Sequence, residues 1–196
     1  MSRAALTELV TETLTTPRVA AARLIMLDLP RAVLWQALAL VIALNALAFH
    51  LGVMVQPPSE PLPPMMATPF MFALMLGGGA LATVFAIAHA GRWLGGEAGL
   101  SDVVVLVVWL QALRLAVQLA ATVLTLLAPG LALVLLMVVN LYGLWIFVNF
   151  IDVAHRFGSP LKALGVIGLA GIGIVLGLIL MLSVVGASTV GVSAHV

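Results

Sequence analysis

The residues best placed to do chemistry lie on one face of a long apolar segment near the middle of the chain. Gln111, Arg114 and Gln118 recur at intervals of three and four residues, and Thr122 and Thr125 continue the same stripe. This spacing puts the side chains on one face of an α-helix. A polar stripe within a membrane-spanning helix must face protein or water, because lipid offers no hydrogen bonds. The stripe therefore predicts either a conduit or site for an anionic ligand, or a buried hydrogen-bond network that fixes the register of the helices.

Polar residues on two other apolar segments are candidates to face this stripe. Asn140, Asn149 and Asp152 lie on the segment that follows a proline–glycine turn, and Asn45 lies on the first apolar segment. The short turn should make its two flanking helices antiparallel neighbours, and helical side chains lean towards the N-terminus of their own helix. We therefore expect Arg114 to hydrogen-bond with Asn149 or Asp152, with Asn140 and Asn45 as polar neighbours. The complete predicted network is Gln111, Arg114, Gln118, Asn140, Asn149, Asp152 and Asn45.

The sequence contains no pattern typical of an active site, a cofactor site or a metal site. There is no cysteine, which excludes disulfides and thiolate ligands. No two of the four histidines are three or four residues apart, so the spacing of a helical metal site is missing. The segment Leu94-Gly95-Gly96 is not followed by the lysine of a phosphate loop, and the segment 186–188 lacks the second glycine of a nucleophile elbow. We expect no catalytic residues, no cofactor and no metal.

Small residues recur every four positions on two of the apolar segments. Gly78, Ala82 and Ala86 form such a row on one segment, and Gly173 and Gly177 form another near the end of the chain. Rows of this kind let helices approach closely in a membrane. They predict helix packing, either within the chain or between chains.

The composition places the chain in a membrane. Of its 196 residues, 64% are hydrophobic and 8% are charged, whereas a soluble domain carries about 25% charged residues. The net charge of +1 offers no basic face for nucleic acid. Five apolar runs are long enough to cross a ~30 Å hydrocarbon core as helices. The sequence predicts an all-α, polytopic bundle of about five transmembrane helices, at about Ala32–Val55, Ala67–Arg92, Asp102–Ala128, Leu131–Val153 and Leu161–Val185.

Three regions follow from these spans. Residues 1–31 are expected to form short helices that lie in the headgroup region or pack on the ends of the spans. Residues 32–185 form the transmembrane bundle, and residues 186–196 form a short tail. Arg3, Arg18, Arg23, Arg31, Arg92, Arg156 and Lys162 all fall on one side of this five-span arrangement. The positive-inside rule then puts the N-terminus in the cytoplasm and the C-terminus outside.

The order of these features resembles the Yip family of membrane proteins, the Ypt/Rab-interacting type. The resemblance is carried by Leu94-Gly95-Gly96 before the third span, by Trp145, and by His155-Arg156-Phe157 at the end of the fourth, and it extends from about Pro17 to Leu182. The Asp-Leu-Tyr-Gly-Pro motif of the eukaryotic members is missing, so their role in vesicle traffic is not carried over. The resemblance implies a five-helix fold and self-association.

Together these observations predict a Yip-like integral membrane protein with a structural or interaction role, as a scaffold or an accessory subunit. Its expected partners are the lipid bilayer, further copies of itself or another membrane complex. Arginine outnumbers lysine seven to one, a bias typical of GC-rich bacterial genomes, so we expect the bacterial inner membrane. The alternative is a small transporter or channel that uses the polar stripe of the third span.

Overall fold

The computed structural model describes residues 3–191, and this part of the chain is helical without any β-strand. Seven α-helices follow one another, and a single 3₁₀ turn at Pro64–Met66 precedes the fourth. Their bounds are α1 Arg3–Thr15, α2 Pro17–Ile25, α3 Arg31–Val55, α4 Pro69–Trp93, α5 Leu100–Leu127, α6 Pro129–Ala154 and α7 Pro160–Gly191.

Five of these helices, α3 to α7, are long and apolar enough to cross a membrane. They coincide with the five predicted spans, so the predicted all-α bundle is confirmed. The boundaries agree to within a few residues, apart from the far end of α7. The C-terminal tail that the sequence predicts at 186–196 lies partly outside the described residues.

Proline and short polar side chains set where the helices begin. Pro69 is the first residue of α4, and the hydroxyl of Thr68 accepts a hydrogen bond from the backbone N–H of Met71 at 3.3 Å. The predicted third span begins at about Asp102, and α5 begins two residues earlier, at Leu100. The carboxylate of Asp102 accepts a hydrogen bond from the N–H of Gly99 at 2.9 Å and so caps the helix at that point.

The five spans form a ring in the order α3, α5, α6, α7 and α4, with α4 closing on α3. The most extensive pairing joins α3 and α5, and α4 also contacts α5 across the ring. We call the end of the bundle where α3, α5 and α7 begin the basic end, since it carries Arg31, Arg92, Arg156 and Lys162. At the other end, Ala128 alone separates α5 from α6.

The packed core lies in the half of the bundle next to the basic end. Five consecutive residues of α5, Val103 to Val107, are all buried, which requires neighbours on every side of the helix. The first half of α7 is also packed into the core, through its buried residues Ala163, Val166 and Ala170. From Gly171 to Leu180, by contrast, α7 is exposed at nearly every position. The bundle is therefore tight at the basic end and loose at the other.

The two N-terminal helices fold into a pair that packs beside α5 and α6. Arg23 of α2 bonds to Glu12 of α1 at 3.1 Å and to Glu8 at 3.2 Å. The indole N–H of Trp109 donates to the hydroxyl of Thr13 at 2.9 Å. Trp109 is the tenth residue of α5, which begins at the basic end. At ~1.5 Å per residue, the N-terminal pair therefore runs more than one helical turn along the side of the bundle from the basic end. The N-terminal segment is thus part of the packed structure.

Candidate functional site

The most deeply buried charge of the bundle is the carboxylate of Asp152, near the end of α6. Its side chain is fully buried, and one oxygen accepts a hydrogen bond from the guanidinium of Arg18 in α2. The other oxygen accepts from the backbone N–H of Ser159 at 2.7 Å. Both oxygens are therefore satisfied, as a buried carboxylate requires. The arrangement ties α2, α6 and the start of α7 together.

The imidazole of His155, one helical turn from Asp152, fills a space made by two glycines. A Cβ at Gly91 would lie 1.8 Å from its Nε2, and one at Gly96 would lie 2.5 Å from its Cδ2. The ring stacks on Phe157 with its centroid 5.2 Å away, and only 1% of the residue is exposed. No larger residue could occupy either glycine position without displacing the ring. The backbone of α4 and of the α4–α5 loop thus closes over His155.

Burial lowers the pKa of His155, and the carbonyls of Ile151 and Ile87 partly oppose this effect. Nδ1 lies 3.2 Å from the carbonyl oxygen of Ile151, while Nε2 is buried without a hydrogen-bond partner among the described residues. Burial thus favours the neutral form of the ring. The backbone carbonyl of His155 also accepts a hydrogen bond from the N–H of Glu97 at 3.2 Å, which attaches the α4–α5 loop to the end of α6.

The predicted polar network is joined across helices at one point. The amide of Asn45, which is 3% exposed, donates to the carbonyl of Gln111 at 3.1 Å and to that of Val41 at 2.8 Å. Asn140 and Asn149 instead donate to carbonyls four residues earlier in their own helix, at 2.7 and 2.8 Å. Thr122 and Thr125 do the same, Thr122 to the carbonyl of Gln118 at 2.9 Å and Thr125 to that of Ala121 at 2.8 Å.

The predicted bond between Arg114 and Asn149 or Asp152 is wrong. Asp152 pairs with Arg18, Asn149 bonds to Trp145, and Arg114 is exposed without a hydrogen bond or ion pair to any described residue. Depth explains the error. Asp152 lies near the basic end of α6, whereas Arg114 lies twelve residues, about 18 Å, beyond Asp102 at the same end of α5. The lean of two side chains does not bridge that distance.

The glycines of the small-residue rows are not covered by other helices of the described chain. Gly78, Gly173 and Gly177 are exposed, and a Cβ added at any of them would meet no described atom within 4 Å. Ala82 and Ala86 are half-buried, so the row on α4 turns into the bundle towards the basic end. The rows therefore do not serve mainly to bring helices of one chain together.

Neither a metal site nor a roomy cavity stands out in residues 3–191. No group of three or more potential metal ligands occurs among them. The two best-formed cavities have volumes of about 10 and 20 Å³, enough for about one water molecule each. The first is lined by apolar residues of α4, α5 and α6, among them Ile87, Val103 and Phe150.

Sequence reasoning missed Arg18 and the glycines that enclose His155. The sequence places Arg18 among the positive charges on one side of the membrane, in a segment expected to lie in the headgroup region or against the ends of the spans, and does not predict its pairing with Asp152. A signal was present, because Arg18 follows the first residue of a predicted helix and Asp152 is the only acidic residue inside the fourth apolar run. Gly91 and Gly96 could not be connected with His155 without knowing how α4 and α6 pack.

These features define a polytopic membrane protein, a five-span bundle whose basic end is closed by a pair of N-terminal helices. The Yip1 domain family matches residues 11–182, nearly the whole described chain. The chain belongs to the Yip family. Three of the residues that carried the resemblance, Gly96, His155 and Phe157, meet in the structure around the buried imidazole. No curated protein and no solved structure matches the chain.

The close approach at Gly91 gives a direct test of the contact with His155. Gly91→Ala should destabilise the protein by about 1–3 kcal/mol, because the new methyl group overlaps the imidazole in a well-packed region. Gly78→Ala is the matched control on the same helix, where a Cβ meets open space; it should be neutral or stabilising by up to about 1 kcal/mol. Thermal unfolding of both variants in mild detergent measures the difference. Equal midpoints would contradict the described packing.

The pairing of Arg18 with Asp152 can be measured by a double-mutant cycle. Arg18→Gln should cost about 1–3 kcal/mol, less than a fully buried pair, because half of the Arg18 side chain is exposed. Asp152→Asn should also destabilise, and the double variant should lose less than the sum, with a coupling of about 0.5–3 kcal/mol. Additive losses in unfolding free energy would show that the two side chains do not interact.

Proposed function

We propose that the protein is a non-catalytic membrane scaffold or accessory subunit that acts by associating with other membrane helices, including further copies of itself. One observation carries the proposal. From Gly171 to Leu180, α7 is exposed at nearly every position, and there is open space beside both Gly173 and Gly177. Nothing in the described chain uses this thin face.

The physical argument rests on what drives association in lipid. Apolar side chains gain little by leaving lipid for another helix, so association depends on close van der Waals packing. Glycines spaced four apart allow two backbones to approach closely. Gly78 adds a second open glycine on α4, which packs beside α7. The neighbouring helices α4 and α7 thus each present exposed glycines for the approach of another helix.

The same structure gives less support to the transporter alternative. A conduit needs a continuous hydrated path, whereas the two best-formed cavities hold about one water each, and the larger lies at the basic end beside Asp102. Two of the five polar side chains of the stripe, Thr122 and Thr125, donate to carbonyls of their own helix. These features favour a packed bundle over a pore.

We further propose that the protein lies in a bacterial inner membrane with its N-terminus in the cytoplasm. The support is the charge distribution. Every basic residue in the described chain except Arg114 lies at or near the basic end, including the N-terminal helices beside it. The positive-inside rule assigns that end to the cytoplasm.

Two single-cysteine variants test the orientation, since the natural chain has no cysteine. Ser59→Cys places a thiol in the exposed α3–α4 segment, and Glu97→Cys places one in the exposed α4–α5 loop. A membrane-impermeant maleimide added to intact cells should label the first and spare the second, and both should react after lysis. The reverse pattern in intact cells would invert the proposed topology.

The association is tested by filling the open face of α7. Gly177→Leu should shift the protein from dimers or larger species towards monomers, because leucine prevents the close approach of a second backbone. Val175→Leu is the matched control, since it adds bulk on the opposite face of the same helix. Native mass spectrometry from nanodiscs measures the species. A wild-type protein that is strictly monomeric and purifies without another membrane protein would contradict the proposal.

A further inference from the structure

Arg114 is a cation inside the spans for which the described chain provides no counter-charge. Val107 and Ala121, seven residues to either side, are buried on the same face of α5. Arg114 itself is exposed and makes no hydrogen bond to any described residue, so its side chain reaches the surface of the bundle. Among the other spans, the carboxylate of Asp152 near the end of α6 is already paired with Arg18. A positive charge at this depth is costly unless an anion or water reaches it.

The opposite end of the α5–α6 pair shows how deep Arg114 lies. Ala128 alone joins these helices, and around it Leu126, Leu127 and Leu131 are 65, 78 and 61% exposed. Such an apolar turn belongs in hydrocarbon or at its boundary. Arg114 lies thirteen residues from Leu127, about 20 Å along the helix. With a hydrocarbon core of about 30 Å, roughly 10 Å then separates the Arg114 backbone from the headgroups on the side of the basic end.

The length of α5 and its neighbours indicate that the first turns of the helix, at the basic end, extend past the hydrocarbon core into the headgroup region. α5 is 28 residues, or about 42 Å, long, and so exceeds the core thickness. The excess falls at the basic end, where the charged side chains of Glu8 and Arg18 lie exposed beside the bundle.

The direction of the Arg114 side chain shortens the remaining distance. Helical side chains lean towards the N-terminus of their helix, and α5 begins at the basic end. A long arginine side chain can therefore run along apolar surface and place its guanidinium several ångströms nearer the headgroups. The planar guanidinium matches a phosphate group with two parallel hydrogen bonds.

We propose that Arg114 binds the phosphate of an anionic phospholipid in the leaflet at the basic end. The ligand chemistry is a phosphate oxyanion, and the lipid headgroup is its source, because the lipid anion is already in the membrane beside an exposed side chain. The acyl chains of the bound lipid then cover the apolar surface of α5 and α6 between Arg114 and the turn that joins the two helices. A soluble phosphate would have to reach the same depth without a hydrated cavity to carry it.

Native mass spectrometry of protein in detergent micelles doped with phosphatidylglycerol or phosphatidylcholine tests this site. The wild-type protein should retain one phosphatidylglycerol more tightly than phosphatidylcholine. Arg114→Gln should weaken that retention about fivefold, the factor that corresponds to ~1 kcal/mol for one basic residue near the headgroups. Arg114→Lys should keep most of it, because the positive charge remains.

Arg156→Gln is the matched control, with the same loss of charge at an arginine that pairs with Glu97 at 3.0 Å in an exposed loop. It should leave the tightly held lipid in place. Circular dichroism and gel filtration verify that each variant is folded. Equal retention by wild type and Arg114→Gln would overturn the site. Displacement of the lipid by millimolar inorganic phosphate at constant ionic strength would overturn the lipid as its occupant.

Discussion

The arrangement of the basic end depends on one buried carboxylate. Asp152 has no exposed side-chain surface, and an unpaired charge in that position would cost several kcal/mol. The charge is accommodated only when Arg18 comes from α2 and the N–H of Ser159 comes from the turn into α7. The N-terminal helices, the end of α6 and the start of α7 must therefore assemble together. One helical turn later, His155 extends the same assembly to α4.

Much of the fold was accessible from the sequence because the bilayer imposes simple rules. A span needs about 20 apolar residues in a helix that satisfies its own backbone. Prolines at the starts of α2, α4, α6 and α7 mark four of the helix beginnings. The exact start of α5 was harder to predict, because the side chain that caps the helix is that of Asp102, whereas the first polar residue of the helix is Ser101.

The contacts between helices were less accessible, because they depend on register as well as on face. Arg18 and Asp152 are 134 residues apart in the chain, and although each stands out in its own segment, neither local pattern identifies the other as its partner. Val107 and Ala121, seven residues to either side of Arg114, are buried, but Arg114 itself is exposed and its predicted partner lies at another depth. Periodicity gives the direction of a side chain around a helix, whereas its depth depends on where the membrane boundary falls.

The apolar turn between α5 and α6 also bears on how the protein enters the membrane. Most hairpins of spanning helices carry a polar loop that must be driven through the hydrocarbon during biosynthesis. Here Ala128 is the whole connection, and leucines surround it. Both helices can therefore enter together as a preformed hairpin whose leading tip has no charge to dehydrate. The first charged side chain to enter the hydrocarbon behind this tip is that of Arg114, at about half the length of the helix.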